Sequence, residues 1–254
     1  MLNDNDLERY ARQVIIPMIG EPGQKKLLKS SVLVVGAGGL GGPVILYLAA
    51  AGIGTINIID CDTVSRPDLN RQIIYKETEV EKNKASAAAT AASSLNSAIT
   101  INVYNEKLRE ENVKNFITQS DVIIDCTDNS QTRYLLGDAS HKYNRPLVFG
   151  GAVRMEGQVS VFQSSVTGYL GTPCYRCIFP EAPNIDQAPG CSEAGILGPV
   201  TGVVGSLQAL ETIKLITGIS ETLTGRLLLI DASTSTFLEI KTTPRPDCKC
   251  CGNS

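Results

Sequence analysis

The feature that most constrains the fold is a run of glycines that follows a short β-branched segment. Residues 31–35 are Ser-Val-Leu-Val-Val, and an apolar helical stretch reaches Ala51 beyond the glycines. A continuous apolar run is typical of a strand buried on both faces of a parallel sheet. Glycines between such a strand and a helix make a tight turn whose amides can approach a phosphate. The pattern predicts a nucleotide-binding unit, with a purely structural glycine turn as the alternative. The loop glycines are Gly36, Gly38, Gly39 and Gly41.

Strand and helix signals alternate through the first 150 residues. This alternation predicts an α/β fold with a Rossmann-like, doubly wound and mostly parallel sheet. The remaining residues, about 151–254, are expected to extend the same sheet with antiparallel strands, so that residues 1–254 form one domain. We predict strands at 31–35, 55–59, 99–104, 121–125, 147–149, 158–162, 227–230 and 237–240. We predict helices at 4–13, 41–51, 81–95 and 200–216, and a further helix between the strands at 121–125 and 147–149. A basic helix ending near residue 29 is predicted after a loop with Gly20, Pro22 and Gly23.

Composition excludes several classes of function. The chain has 254 residues, of which 43% are hydrophobic and 19% charged, and its net charge is −3. These values are typical of a globular protein and give no electrostatic reason to expect nucleic acid or an anionic membrane as a partner. The acidic start is unlike a targeting peptide, and no apolar stretch is long enough to span a bilayer. We therefore expect a cytoplasmic protein in which structural disulfides are rare.

The inventory of reactive side chains is narrow. His141 is the single histidine, and we expect it at the surface, so multi-histidine metal sites are excluded. Chemistry must then depend mainly on Arg, Lys, Asp and Cys.

Charged residues follow several of the predicted strands. Asp60 closes the second strand, about 20 residues after the glycine loop, where an acid can accept hydrogen bonds from a ribose. Arg71, Lys84 and Asp128 are predicted to lie at the same edge of the sheet, where two cations could neutralise a triphosphate and a carboxylate could hold Mg²⁺. The alternatives are a surface salt bridge for Arg71, a solvated helix position for Lys84 and a helix N-cap for Asp128. Their joint placement around the glycine loop favours the functional interpretation.

Two pairs of cysteines have metal-type spacing. Cys174 and Cys177 form the first pair, and Cys248 and Cys251 form the second. Four thiolates give a closed, structural zinc site. Because the pairs are far apart in sequence, spacing alone leaves four buried free cysteines as an alternative. Cys250, inside the second pair, has no assigned role. We expect Cys61 and Cys126, which end strands, to be packing residues.

Several motifs together resemble the ThiF/MoeB/HesA family of ubiquitin-activating-like enzymes, which adenylate small sulfur-carrier proteins. The resemblance runs from about residue 7 to 252. A segment at 151–158 is similar to the MoeB branch, and the end at 246–252 to the eukaryotic members that serve molybdopterin synthesis and tRNA thiolation. The motifs are Arg-Tyr-Ala-Arg-Gln at 9–13, Val-Gly-Ala-Gly-Gly-Leu-Gly at 35–41, Asp60-x-Asp62 with Arg71, Asp-Cys-Thr-Asp-Asn at 125–129 and Cys-Tyr-Arg-Cys at 174–177.

The resemblance implies ATP with Mg²⁺ as the nucleotide and the cysteine pairs as zinc ligands. By resemblance, Asp60 binds the ribose, Arg71 and Lys84 the phosphates, and Asp128 serves Mg²⁺. The family commonly has Asn at the position of Asp68, and a carboxylate is unfavourable beside phosphates unless it is turned away or metal-bound. The implied nucleotide-binding residues are Gly36, Gly38, Gly39, Gly41, Asp60, Asp62, Asp68, Leu69, Asn70, Arg71, Lys84, Asp128 and Asn129.

The resemblance also implies partners. The substrate would be a ubiquitin-like carrier ending in Gly-Gly, and a separate rhodanese or cysteine desulfurase would donate sulfur for molybdopterin, thiamine or tRNA-thiolation pathways. Arg12 would reach the active site of a second subunit, which implies a homodimer. Cys191, which follows a proline-rich crossover loop at 181–190, could form a covalent intermediate with the carrier. In this scheme residues 1–150 bind the nucleotide, and residues 151–254 hold the carrier, the loop and the zinc.

Two other classes of function remain open. A nicotinamide-dependent oxidoreductase would explain the glycine loop and Asp60, but not Arg12, Arg71, Lys84 or the cysteine pairs. A catalytically silent module that binds a ubiquitin-like protein would keep the fold and the zinc.

Overall fold

A single sheet of eight strands organises the protein. The computed structural model describes residues 2–181 and 194–252. The strand order is β3-β2-β1-β4-β5-β6-β7-β8, with parallel pairing from β3 to β5 and antiparallel pairing from β5 to β8. This confirms the predicted fold class. The strands are β1 (Ser31–Val35), β2 (Thr55–Ile59), β3 (Thr100–Tyr104), β4 (Val122–Asp125), β5 (Leu147–Val153), β6 (Glu156–Phe162), β7 (Arg226–Asp231) and β8 (Thr236–Lys241).

Helices cover both faces of the parallel part of the sheet. Val32 and Val34 of β1 belong to one buried cluster, whereas Leu33 and Val35 belong to the other. This double burial explains why β1 is apolar at four successive positions. The first cluster contains side chains of α3, α4 and α8, and the second contains those of α5, α6 and α7. The helices are α1 (Asp4–Val14), α2 (Gly20–Lys29), α3 (Gly41–Ala51), α4 (Lys84–Leu95), α5 (Glu110–Thr118), α6 (Ser130–Lys142), α7 (Tyr175–Ile178) and α8 (Gly198–Thr217).

Some predicted boundaries were wrong. Gly20, Pro22 and Gly23 lie inside α2 and not in a preceding loop, because proline is compatible with the first turn of a helix. Helix α5 was not predicted, since its segment is short and mostly polar. Strand β5 extends to Val153, four residues beyond the prediction, and pairs along its whole length with β6.

The antiparallel end of the sheet is only partly covered. Every residue of β8 is exposed, including Leu238 and Ile240, which are 55% and 41% accessible. These two residues pair with Leu229 and Leu227 of β7. Because directly paired residues share a face, β7 and β8 present an apolar surface on the same side of the sheet as the second cluster. Among the described residues, no helix has the length and apolarity needed to cross a lipid bilayer.

Candidate functional site

An open cleft of about 430 Å³ lies at the carboxyl ends of β1, β2, β4 and β5. Strand β1 stands between β2 and β4, so the direction of winding reverses here, and ligands of doubly wound proteins bind at such a point. The structure brings most of the predicted nucleotide-binding residues to this cleft. Those that line it are Gly36, Gly38, Gly39, Asp60, Asp62, Arg71, Lys84, Asp128 and Asn129.

The glycine loop is held too tightly for side chains at two positions. Gly36 has φ of +92°, and a Cβ added there would lie 2.8 Å from the carbonyl oxygen of Cys126. A Cβ at Gly41 would collide with the carbonyl oxygen of Gly36. Gly41 is thus required for packing, and it is not among the residues that line the cleft. Helix α3 begins at Gly41 without a side-chain cap, which leaves its N-terminal amides available to an anion.

Asp60 joins the glycine loop to the end of β2. Its carboxylate accepts hydrogen bonds from the backbone N–H of Ala37 at 2.7 Å and of Asp62 at 2.8 Å. Burial raises the pKa of this carboxyl above its usual value, against the effect of those two amides. A carboxylate has about four lone-pair positions. Asp60 can therefore still accept a hydrogen bond from a ribose hydroxyl in the cleft.

Asp68 organises the two predicted phosphate-binding cations. It lies 3.3 Å from the guanidinium of Arg71 and 3.5 Å from the ammonium of Lys84. The N–H and hydroxyl of Ser65 donate to the same carboxylate at 3.0 and 2.8 Å. Burial would raise the pKa of Asp68, but the Ser65 hydrogen bonds and the charges of Lys84 and Arg71 outweigh it and lower that pKa. Lys84 is buried and also pairs with Asp62 at 3.4 Å.

The structure does not bring residues 68–70 to the lining of the cleft. Asp68 is buried beneath Arg71 and does not line the cleft. Leu69 packs against the first cluster, and Asn70 is exposed, where it accepts a hydrogen bond from Arg71 at 3.2 Å. The carboxylate of Asp68 therefore positions cations and is turned away from the space that phosphates would occupy.

Asp128 and Asn129 form the far wall of the cleft at the start of α6. Asn129 is the N-cap, since its side chain accepts from the N–H of Thr132 at 2.9 Å. Asp128 is exposed in the cleft and does not serve as that cap. A free carboxylate beside a phosphate-sized space suits Mg²⁺, which prefers oxygen ligands.

Residues that were not predicted also line the cleft, among them Gln72, Arg133 and Cys61. Gln72 is 3% exposed; its amide donates to Asp68 at 3.0 Å, while its Oε1 has no partner among the described residues. Arg133 of α6 is half-buried. Cys61 is exposed, so the expectation that it is a packing residue was wrong; Cys126 is buried as expected. Gln72 directly follows Arg71, which was the available signal. The sequence alone contains no signal that would place Arg133 in the cleft.

Other predicted positions lie away from the cleft. Arg12 is exposed in the last turn of α1 and is not among the cleft-lining residues. Cys191 and nearly all of the proline-rich loop lie outside the described residues. His141 is half-buried and not a free surface residue, because its Nδ1 lies 2.8 Å from the hydroxyl of Ser164.

The four predicted zinc ligands come together outside the cleft. The sulfur atoms of Cys174, Cys177, Cys248 and Cys251 all lie within 4.8 Å of one another. Three of the separations are 3.8, 3.5 and 3.3 Å. Sulfurs at about 2.3 Å from a tetrahedral zinc ion would be roughly 3.8 Å apart, so the cluster fits that ion. Cys250 is outside the group of four, and its N–H donates to the sulfur of Cys248 at 3.5 Å.

The fold and these two sites define an α/β protein with a glycine-loop cleft and a separate four-cysteine cluster. The ThiF family matches residues 10–251, and the chain belongs to that family. It is 46% identical over 254 residues to "Adenylyltransferase and sulfurtransferase MOCS3" of Aedes aegypti, an alignment that covers 100% of this chain and 57% of that protein. It is 44% identical over 254 residues to the protein of the same name from Dictyostelium discoideum, covering 99% and 59%. The chain thus spans somewhat more than half the length of these curated relatives.

Solved structures of low sequence identity share the fold. Escherichia coli MccB with ATP superposes with a TM-score of 0.82 at 23% identity, covering 96% of this chain and 75% of that one. MccB with MccA-N7isoASN gives a TM-score of 0.83 at 24% identity, covering 99% and 76%. These likenesses establish the architecture.

Proposed function

We propose that the protein adenylates the C-terminal carboxylate of a ubiquitin-like sulfur carrier ending in Gly-Gly. The observation that carries the proposal is the cleft, in which the glycine loop, Asp60, two paired cations and Asp128 surround one space. The relatives that share 44–46% identity are named adenylyltransferases. In this reaction a carboxylate oxygen attacks the α-phosphorus of ATP, the bond to the β-phosphate breaks, and pyrophosphate leaves with the bonding electrons. The products are an acyl-adenylate and pyrophosphate.

The cleft residues suit this chemistry because it needs no general base. A C-terminal carboxylate is already ionised at neutral pH, so the barrier lies in bringing one anion onto another. Arg71 and Lys84 supply positive charge for the β- and γ-phosphates, and the glycine loop supplies backbone amides. Asp60 holds the ribose, which fixes the α-phosphorus for in-line attack.

Metals have two distinct places in the proposal. Asp128 would hold Mg²⁺, which when bound neutralises charge that develops on the leaving pyrophosphate. The four clustered cysteines would hold zinc, whose role is structural because all four coordination positions are filled by protein.

The apolar face of β7 and β8 supplies a docking surface for a carrier protein. Leu238 and Ile240 are exposed on it, and the paired strands β5 to β8 lead from this face to the cleft. We place the carrier body there and its tail in the cleft, which assigns nucleotide binding to residues 1–150 and carrier binding to the remainder.

The other partners follow from the same proposal. The exposed Arg12 would complete the cleft of a second subunit in a homodimer, and Cys191 would carry the carrier covalently after adenylation. A separate rhodanese or cysteine desulfurase would supply sulfur. We place the reaction in the cytoplasm, in a molybdopterin, thiamine or tRNA-thiolation pathway.

ATP–pyrophosphate exchange tests the proposal. Exchange should require a Gly-Gly-ending carrier and fall by about a hundredfold or more in Arg71→Ala and Asp128→Ala, since each removes charge stabilisation in the cleft. Arg66→Ala is the matched control, because Arg66 is exposed and pairs with Glu77 outside the cleft. Absence of exchange with every carrier, together with binding of NAD, would favour the oxidoreductase instead. Carrier binding without exchange would favour the silent module.

A further inference from the structure

Cys250 is a fifth thiol beside the four-cysteine cluster, and the proposed function leaves it without a role. The sulfur atoms of the four clustered cysteines lie within 4.8 Å of one another, and four thiolates fill a tetrahedral site. Cys250 is not in that group, yet its side chain forms a hydrogen bond with the side chain of Cys174. A thiol that the metal does not need therefore lies directly against one of the expected zinc ligands.

The two sulfur atoms of this pair differ in their access to solvent. Cys174 is 1% exposed, whereas Cys250 is half-buried. A small oxidant dissolved in water can thus reach the sulfur of Cys250 but not that of Cys174. Because oxidation of a cysteine requires access to its sulfur, we expect Cys250 to react first.

The backbone around Cys250 holds its side chain in place. Its N–H donates to the sulfur of Cys248 at 3.5 Å, and the N–H of Gly252 donates to the carbonyl oxygen of Cys248 at 2.9 Å. The neighbouring Cys251 is a poor disulfide partner, since adjacent Cα atoms are about 3.8 Å apart and disulfides usually span about 4.4–6.8 Å. Cys174, which contacts Cys250 across the chain, is the partner that the geometry favours.

The cluster also attaches residues 245–252 to α7. The sulfur atoms of Cys174 and Cys248 lie 3.5 Å apart, and those of Cys177 and Cys251 lie 3.3 Å apart. Loss of one of these four ligands would weaken metal binding and loosen the attachment of this segment to α7.

We propose that Cys250 is an oxidation site through which a peroxide converts Cys174 from a zinc ligand into a disulfide partner. This inference rests on the zinc site of the proposed function and goes beyond it, because it makes the metal content of the protein depend on oxidants. The disulfide leaves the site with three protein ligands, so that zinc is released.

The chemistry of this conversion balances with hydrogen peroxide as the oxidant. Peroxide first oxidises the thiol of Cys250 to a sulfenic acid, and water leaves. The thiolate sulfur of Cys174 then attacks the sulfenic sulfur, the S–S bond forms, and the S–O bond breaks. The departing hydroxide takes a proton from solvent and becomes a second water. The two sulfur atoms together lose two electrons, which the peroxide gains.

Release of zinc from the zinc-loaded full chain tests the inference. Hydrogen peroxide is added after removal of reductant, and a chelating dye that absorbs on binding zinc follows the release. Cys250→Ser should bind zinc normally, since it retains the backbone N–H, and should release it at least about tenfold more slowly than the unaltered chain. Cys250→Ala should behave in the same way. Cys61→Ser is the matched control, because Cys61 is an exposed thiol outside the cluster, and it should release zinc at the unaltered rate.

Mass mapping of tryptic peptides identifies the disulfide. Cleavage after Arg176 separates the two cysteines of the first pair, and cleavage after Lys249 separates Cys250 from Cys248. Fragmentation of the last peptide distinguishes Cys250 from its neighbour. A link between Cys174 and Cys250 should form in parallel with zinc release, and a dithiol reductant with added zinc should restore the metal content.

The outcomes distinguish this inference from the proposed function. Equal rates of zinc release in Cys250→Ser and the unaltered chain would overturn the role of Cys250 alone. A disulfide from Cys250 to Cys248 or Cys251 in place of Cys174 would also overturn it. Failure of the reduced, unaltered chain to bind zinc would contradict the metal site of the proposed function itself.

Discussion

Asp68 shows how a single residue sets the electrostatics of the cleft. Its carboxylate pairs with Arg71 and Lys84 and is fixed from behind by Ser65. The arrangement resolves the difficulty raised by an acid so close to phosphate-binding residues. The carboxylate holds the two cations in place and is itself shielded from the cleft. The carboxylate neutralises part of the charge of Arg71 and Lys84. The two cations therefore attract phosphates less strongly, but they are held in fixed positions.

Asp68→Asn should therefore lower stability in a pH-dependent way. We expect a loss of about 1–3 kcal/mol at pH 7, because the buried Lys84 and the half-buried Arg71 lose a charged partner. Since the folded pKa of Asp68 is lowered from 3.8, its ionisation stabilises the fold above that pH and ceases to do so as the pH falls through the lower, folded value. Urea unfolding of both proteins between pH 7 and pH 3 measures the difference. A gap that stays constant down to pH 3 would show that ionisation of Asp68 contributes nothing.

At the scale of elements, the strand–loop–helix unit from β1 to α3 is the most constrained part of the fold. A Cβ at Gly41 meets the backbone carbonyl of Gly36, whereas one at Gly38 meets only the Gln72 amide at 3.6 Å. A backbone carbonyl cannot move aside as a flexible side chain can. Glycine is therefore required at residue 41 for steric reasons that do not apply at residue 38. Gly41 serves helix–loop packing, and Gly38 serves the open surface of the cleft.

Alanine substitutions should separate these two reasons. Gly41→Ala is expected to cost at least about 3 kcal/mol, since the loop must shift to relieve the collision. Gly38→Ala should change the free energy of unfolding by less than about 1 kcal/mol, because the added methyl makes an ordinary contact. Chemical denaturation of both variants provides the comparison. Equal stability of the two would contradict the packing argument.

The helices and strands differ in how well sequence patterns predicted them. The parallel half was predicted closely, since strands buried on both faces are uniformly apolar and end at glycines or acids that mark the cleft. Prediction was poorer elsewhere. Strand β5 was predicted too short because its buried continuation contains two glycines, α5 was missed because it is short and mostly polar, and α2 was misjudged because glycine and proline at its start were taken as a loop. In the cleft, residues adjacent to motifs could be found. Arg133 could not, because only the crossing of α6 over the end of β4 brings it to the site.

At the scale of the molecule, α6 connects the cleft with the cysteine cluster. Its first turn carries the Asn129 cap and Arg133, and farther along Asp138 holds Arg176 of α7 through two hydrogen bonds of 2.6 and 2.7 Å. Tyr134 of α6 also packs edge-on against Tyr175 of α7 at 5.2 Å. Because Cys174 is the N-cap of α7 and Cys177 lies within it, metal binding would connect residues 248–251 to α7 and, through α7, to the helix that carries one wall of the cleft.

Removal of the metal is thus expected to loosen the molecule beyond the cluster itself. Cys177→Ser should abolish stoichiometric zinc binding and lower stability by about 3 kcal/mol or more, since a metal bound tightly to the folded state alone stabilises it by mass action. Metal analysis and thermal unfolding of the purified protein would measure both effects, with Cys61→Ser as a control because Cys61 lies outside the cluster.

Hydrogen exchange should show faster opening of α6 in Cys177→Ser, because the contacts of α6 with α7 are weakened. Full zinc content in Cys177→Ser would contradict the assignment of ligands, and zinc loss with unchanged exchange in α6 would contradict the connection to the cleft.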